Sequence, residues 1–195
     1  MKIFIIITFN LLAALAIWKF IGIRRSSVKV NVPISHDSSI ILDQCILKLN
    51  SSEKICLSNY KGKKILLVNV ASECGYTKQY ADLEKLYLSH KDKLIIIGFP
   101  CNQFGGQESG TEADIEKFCS SKYSVTFPLT TKIEVKGDKQ HPIYKWLTTK
   151  RLNGVNDYSV KWNFNKFLLD ENGQLIGYFS SQINPLDSAI TNLLK

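Results

Sequence analysis

Residues 64–70 read KILLVNV, an almost unbroken apolar run with the length and β-branched content of a strand buried on both faces. Ten residues after Val70 begins a series, Tyr80, Leu83, Leu86 and Tyr87, at helical spacing, which predicts a helix over 78–90 with Thr77 as its cap. The same patterning predicts a β-hairpin at about 40–58, strands at 65–70 and 94–99, and a helix at 111–121. Beyond these it predicts a strand near 129–135, a helix at 141–149, strands at 165–170 and 175–180, and a helix at 185–194. Asp170-Glu171-Asn172-Gly173, between FLL and LIGYF, is a strong hairpin turn. A βαβ unit followed by an antiparallel extension gives an α/β fold: a mixed central sheet flanked by helices, preceded by the hairpin. Reactive groups then belong at the carboxyl ends of the central strands.

The N-terminus stands apart. After Lys2 runs IFIIITFNLLAALAIW, interrupted only by Thr8 and Asn10, so residues 1–23 read as a hydrophobic signal or membrane anchor. Ala14 and Ala16 have cleavage-site spacing, whereas retention would allow membrane association through residues 3–23. Residues 24–38 read as a basic linker or transit-like segment, and residues 39–195 as the single folded domain. The expected localisation is membrane-anchored or within the secretory pathway or an organelle. The net charge of +8 in 195 residues invites a nucleic-acid reading. However, Lys2, Lys19, Arg24, Arg25 and Lys29 precede the first acid, leaving 20 basic against 17 acidic residues in the remainder. With no dense basic stripe there, nucleic acid is excluded as the expected partner.

Five cysteines and three histidines without a repeated CxxC pair argue against structural zinc, and the odd cysteine count against a simple disulfide scaffold. Cys45 and Cys56 fall on the two arms of the predicted hairpin and are read as packing residues. Cys74, in NVASECGYT, sits where a strand gives way to a helix, and a thiolate there meets unpaired N–H groups and the positive end of the helix dipole. Taken alone, it is equally well a buried packing cysteine. Thr111 and Asp114 form a capping-box pattern, with Ile115, Phe118 and Cys119 on one apolar face. Ser120 and Ser121 are weak helix formers, so the last turns of that helix should open at low cost.

NVASECGYT (69–77), GFPCNQFGGQESG (98–110) and KWNFNKFL (161–168), in that order, resemble the glutathione peroxidase family over roughly residues 40–195. The resemblance implies a thioredoxin-like fold in which Thr77 replaces the second cysteine of a CxxC. It implies that Cys74 is the peroxidatic cysteine, with Gln107, Trp162 and Asn163 as neutral hydrogen-bond donors around it. KFCSSKYSVTFP (117–128) resembles the segment bearing the resolving cysteine of cysteine-type members, which matches Cys119. The function implied is a thiol-dependent peroxidase reducing hydrogen peroxide and organic or lipid hydroperoxides in the response to oxidative stress. No cofactor is expected; the reducing cosubstrate is a thioredoxin-type protein, favoured over glutathione. The alternative is a peroxide sensor relaying its disulfide to a client protein. Ser109 departs from the proline common in the family, and Glu73 places an acid beside the nucleophile. The short segment between Lys150 and Lys161 predicts a monomer or loose dimer. No catalytic role is assigned to Cys101.

Overall fold

The computed structural model describes residues 29–30 and 39–195. The expected signal or anchor, and all of the basic linker except Lys29 and Val30, lie outside the described residues. Those two residues form a short edge strand, β1 (Lys29–Val30). Among the described residues no helix is long and apolar enough to cross a membrane.

A short helix α1 (Ser39–Leu42) leads into the hairpin of β2 (Cys45–Leu47) and β3 (Lys54–Cys56). Then follow β4 (Lys64–Val70), α2 (Gln79–His90), β5 (Leu94–Pro100) and α3 (Glu112–Tyr123). The chain continues with α4 (Pro142–Thr148), α5 (Lys150–Asn153), β6 (Lys166–Leu169), β7 (Leu175–Phe179) and α6 (Ser188–Thr191). The five-stranded sheet has the order β1-β7-β6-β4-β5. β4 is parallel to β5 (Leu67 opposite Ile97) and antiparallel to β6 (Leu67 opposite Phe167). Because side chains alternate across a pleated sheet, β4 feeds two cores. Ile65 and Leu67 face Phe99, Cys101, Tyr144 and Phe167, whereas Leu66, Val68 and Val70 face Tyr80, Ile115, Cys119 and Phe164. Cys74 belongs to the second core, with Cys119; Cys101 belongs to the first.

Three local expectations are corrected. Residues 129–135 form no strand; after Pro128 the segment makes only single bridges, Thr130 to Lys48 on one side and Leu129 to Gly98 on the other. Gly98 permits that crossing, because a Cβ there would lie 2.5 Å from Leu129. Cys45 and Cys56 are not packing residues. The hairpin register sets them directly opposite one another, with α-carbons 4.0 Å apart, and they form a disulfide. Thr77 does not cap α2, which begins after Lys78 without a side-chain cap. Its hydroxyl accepts from the Cys74 amide (2.9 Å) and donates to the Ala71 carbonyl (2.9 Å).

Candidate active site

β4 delivers residues 71–78 to the carboxyl edge of the sheet. The turn there is closed by Thr77 N–H donating to the Cys74 carbonyl (3.0 Å) and by the two Thr77 hydroxyl bonds. Cys74 is a free thiol, 8% exposed, whose sulfur accepts from the Tyr76 N–H at 3.4 Å. Thr77 at the place of a second cysteine thus has a positive function: it fixes the turn on which the thiol is carried.

The glycine-rich loop 101–110 comes back to this turn. Asn102 Oδ1 accepts from the Glu108 amide (2.9 Å), and Gly105 and Gly106 both adopt φ of +68°, the left-handed region that favours glycine. The Gln107 carbonyl accepts from the Glu73 amide (3.0 Å), joining the loop to the residue before Cys74. Gln107 Oε1 accepts from Asn163 Nδ2 at 3.0 Å, leaving both hydrogens of the Gln107 amide nitrogen for another acceptor. Asn163 is fully buried. Trp162 is 38% exposed, leans on Phe104 (centroids 6.0 Å apart), and shares with Tyr76, Tyr158 and Lys161 the wall of a cavity of about 560 Å³. The structure therefore joins Gln107 to Asn163, ties their loop to the Cys74 turn, and sets Trp162 at the cavity mouth beside Tyr76.

The segment 162–164 is held by a set of buried donors that composition and periodicity did not reveal. Asn69 Nδ2 (3.0 Å) and Asn165 Nδ2 (2.9 Å) donate to the Trp162 carbonyl, Ser181 Oγ to that of Asn163 (2.6 Å), and Lys166 Nζ to that of Phe164 (2.9 Å). Phe164 itself is buried at φ +61°, a conformation unfavourable for a bulky side chain. Its amide donates to the Asn69 carbonyl at 2.6 Å, and Asn69 Oδ1 accepts from the Asn165 amide at 3.1 Å. Burial pushes the Lys166 ammonium down to about 7. A polar asparagine within an apolar strand was the one available signal, since a buried amide must find partners.

Asn69 is accordingly expected to be structural. Asn69→Ala leaves the Asn165 amide unpaired, weakens the hold on Trp162, and should cost roughly 2–4 kcal/mol of stability, read from the urea midpoint at unchanged slope.

The resolving candidate lies across the same core. Cys119, on α3, is free and 1% exposed, and burial pushes its thiol up to about 11. The Tyr80 hydroxyl beside it pulls the other way but makes no hydrogen bond of ordinary geometry. Tyr80 packs between α3 and the site, 5.5 Å from Tyr123 and 5.4 Å from Phe164 in ring centroids. The expected capping box is present: Asp114 N–H donates to Thr111 Oγ1 (3.2 Å) and Thr111 N–H to Asp114 Oδ2 (3.0 Å). At the other end Ser124, at φ +52°, terminates the helix. Only Ile115 and Cys119 of its twelve residues are buried.

A family model described as "Glutathione peroxidase" matches residues 41–148. The "Glutathione peroxidase homolog BsaA" of Staphylococcus epidermidis is 48% identical over 141 residues, covering 72% of this chain and 89% of that protein. This chain belongs to the glutathione peroxidase family. The "Glutathione peroxidase-like peroxiredoxin 2" of Saccharomyces cerevisiae is 45% identical over 151 residues, covering 76% of this chain and 93% of its own length. Among solved structures, T. cruzi GPX1 superposes with a TM-score of 0.61 at 31% identity, covering 79% of this chain and 93% of that one. A DsbF homologue from Corynebacterium diphtheriae shares the fold alone, at 14% identity and a TM-score of 0.59, over 87% of this chain and 94% of its own. The chain thus has a thioredoxin-like fold and is a thiol-dependent peroxidase.

Proposed function

We propose that Cys74 is the peroxidatic nucleophile of this peroxidase, that Cys119 resolves it, and that a thioredoxin-type protein recycles the enzyme. The observation that carries the reading is the Gln107–Asn163 hydrogen bond, held by backbone contacts beside the Cys74 turn. It orders a pair of neutral amides on segments bonded to the residue before Cys74, which supports a role for them as donors to a peroxide at the thiol. The thiolate sulfur attacks one peroxide oxygen, the O–O bond breaks, and the departing oxygen takes a proton and leaves as water or an alcohol. Sulfur is thereby oxidised by two electrons to the sulfenic acid. Amide and indole hydrogens from Gln107, Asn163 and Trp162 orient the peroxide and stabilise the leaving oxyanion, so no cofactor is required.

In the second step Cys119 sulfur attacks Cys74 sulfur, hydroxide departs as water, and a disulfide forms. Cys119 is the free cysteine in the core that Cys74 shares, whereas Cys101 lies on the far side of the sheet. A dithiol protein then reduces the disulfide by exchange. The cavity of about 560 Å³ beside Trp162 leaves room for an organic hydroperoxide. Relatives named as peroxiredoxins support a protein reductant over glutathione. Steady-state turnover with each reductant alone tests this: a thioredoxin system should support turnover at least about tenfold faster than glutathione, a difference of about 1.4 kcal/mol in barrier. Faster turnover with glutathione would overturn the assignment of the donor.

A further inference from the structure

Glu108 follows Gln107 in the loop and belongs to none of the steps above. Its side chain is 1% exposed, and neither carboxyl oxygen has a hydrogen-bond partner. A buried carboxylate without partners is costly, so its placement calls for a use. It lines a cavity of about 200 Å³ with Ser72 and Glu73 of the nucleophile turn on one side and Ile115 and Phe118 of α3 on the other. The carboxyl thus lies between the segment bearing Cys74 and the helix bearing Cys119.

Its surroundings offer little compensation. From the nucleophile turn, the Ser72 hydroxyl and amide favour the charged form without reaching it in bonding geometry, while Glu73 opposes it. From the segment after Leu129, the Lys132 charge is favourable, but its ammonium is spent on the Glu108 (3.4 Å) and Gly110 (2.7 Å) carbonyls. From α2 comes Tyr80 and from α3 Cys119, both made harder to ionise by Glu108, and Asp114 of α3 lines the same cavity. Burial, the dominant effect, pushes the Glu108 carboxyl up to about 7.

Of the elements that cover Glu108, α3 is the one able to move away. β4 is buried along almost its whole length, and α2 buries five residues, whereas α3 buries two. The ends of the α3 region are tied down: Asn50 bonds to Glu112 (3.3 Å) and Glu116 (2.8 Å), and Thr126 N–H bonds to Glu84 (2.8 Å). What remains free to open is the stretch between, which contains Cys119. We infer that Glu108 is a positioning residue for the resolving step, its ionisation beneath α3 driving the helix open and releasing Cys119 toward Cys74. The inference rests on Cys119 as the resolving cysteine.

The sign follows from linkage. The closed state holds the proton more tightly than the open state, in which water solvates the carboxylate, so opening becomes easier as pH rises from the free carboxyl value toward 7 and then levels off. Native-state amide exchange on the reduced full-length protein, corrected for intrinsic exchange, reads this directly. The opening constant of α3 amides around Cys119 should rise more than tenfold between pH 5 and pH 7 and level off by pH 8. In Glu108→Gln it should be flat over that range and at least tenfold lower at pH 8, with disulfide formation slowed to match; Glu108→Asp should restore the rise. An equal rise in Glu108→Gln would overturn the proposal. So would a wild-type rise shared equally by α2 amides, because the carboxylate would then be released by global unfolding. The wild-type profile needs no variant, so a Glu108→Gln protein that fails to fold leaves the test intact. Exchange is measured without peroxide, so a pH-dependent α3 whose Cys119 never joins Cys74 would locate the failure in the resolving assignment.

Discussion

Cys74→Ser should reduce peroxide consumption to the uncatalysed background, a loss of at least about a thousandfold, or roughly 4 kcal/mol of transition-state stabilisation. A serine hydroxyl in the same turn keeps the Tyr76 N–H and Thr77 contacts, so the fold should be preserved. What is lost is the chemistry: sulfur accepts oxygen from a peroxide and becomes a sulfenic acid, and a serine oxygen has no such oxidation ladder. None of the other free cysteines can substitute. Cys101 has its sulfur against Gln103, and burial raises its pKa. Cys119 is likewise held as a thiol on the buried face of α3. NADPH consumption coupled through a thioredoxin system and direct peroxide loss should both vanish. Retention of more than a few per cent of wild-type turnover would remove Cys74 from its role.

The second large effect belongs to Cys119. Cys119→Ser should reduce one equivalent of hydroperoxide at close to the wild-type rate and then stop, because the sulfenic acid on Cys74 has no internal thiol to condense with. Thioredoxin-supported turnover should fall by roughly two orders of magnitude or more. Stopped-flow Trp162 fluorescence separates the two phases, since that indole lies at the site and is partly exposed. The proposed resolving role asks a Cys119 that is 1% exposed to meet Cys74 with α-carbons within about 7 Å, and so calls for its helix to open. The structure shows why release is feasible. Ser120 and Ser121 lie within the last turns, Ser124 ends the helix in a left-handed conformation, and little apolar surface anchors it.

How much of this was legible in the sequence depended on how local the determinant is. The α3 capping box was legible because Thr111 and Asp114 satisfy one another within one turn. β4 was legible because KILLVNV is apolar on both faces. Thr77 was misread because its hydroxyl has two competing uses, and the Cys74 amide and Ala71 carbonyl outcompete the amides of α2. The segment 129–135 has strand composition, but each side offers it only a single bridge, which no residue within the segment announces. The Cys45–Cys56 pairing turns on one step of hairpin register, and a shift by one residue would send the two sulfurs to opposite faces.

The site was legible through its three motifs taken together, not through any one residue. Gln107, Asn163 and Trp162 are unremarkable individually, and the Gln107–Asn163 bond spans 56 positions of chain. Asn69, Asn165, Ser181 and Lys166 hold the carbonyls of residues 162–164 from three separate segments, so their joint role exists only in the folded protein. Glu108 was the best hidden: one acid in a glycine-rich loop looks solvated until the fold covers it with α3.

The central claim, that Cys74 takes the peroxide oxygen and Cys119 displaces it, is tested most directly by a disulfide map of the wild-type protein after one equivalent of hydroperoxide. After alkylation of free thiols under mild acid and proteolysis, peptide mass spectrometry should find Cys74 linked to Cys119, Cys45 linked to Cys56, and Cys101 alkylated. Cys74 recovered as an alkylated thiol, or linked to Cys101, would contradict the account.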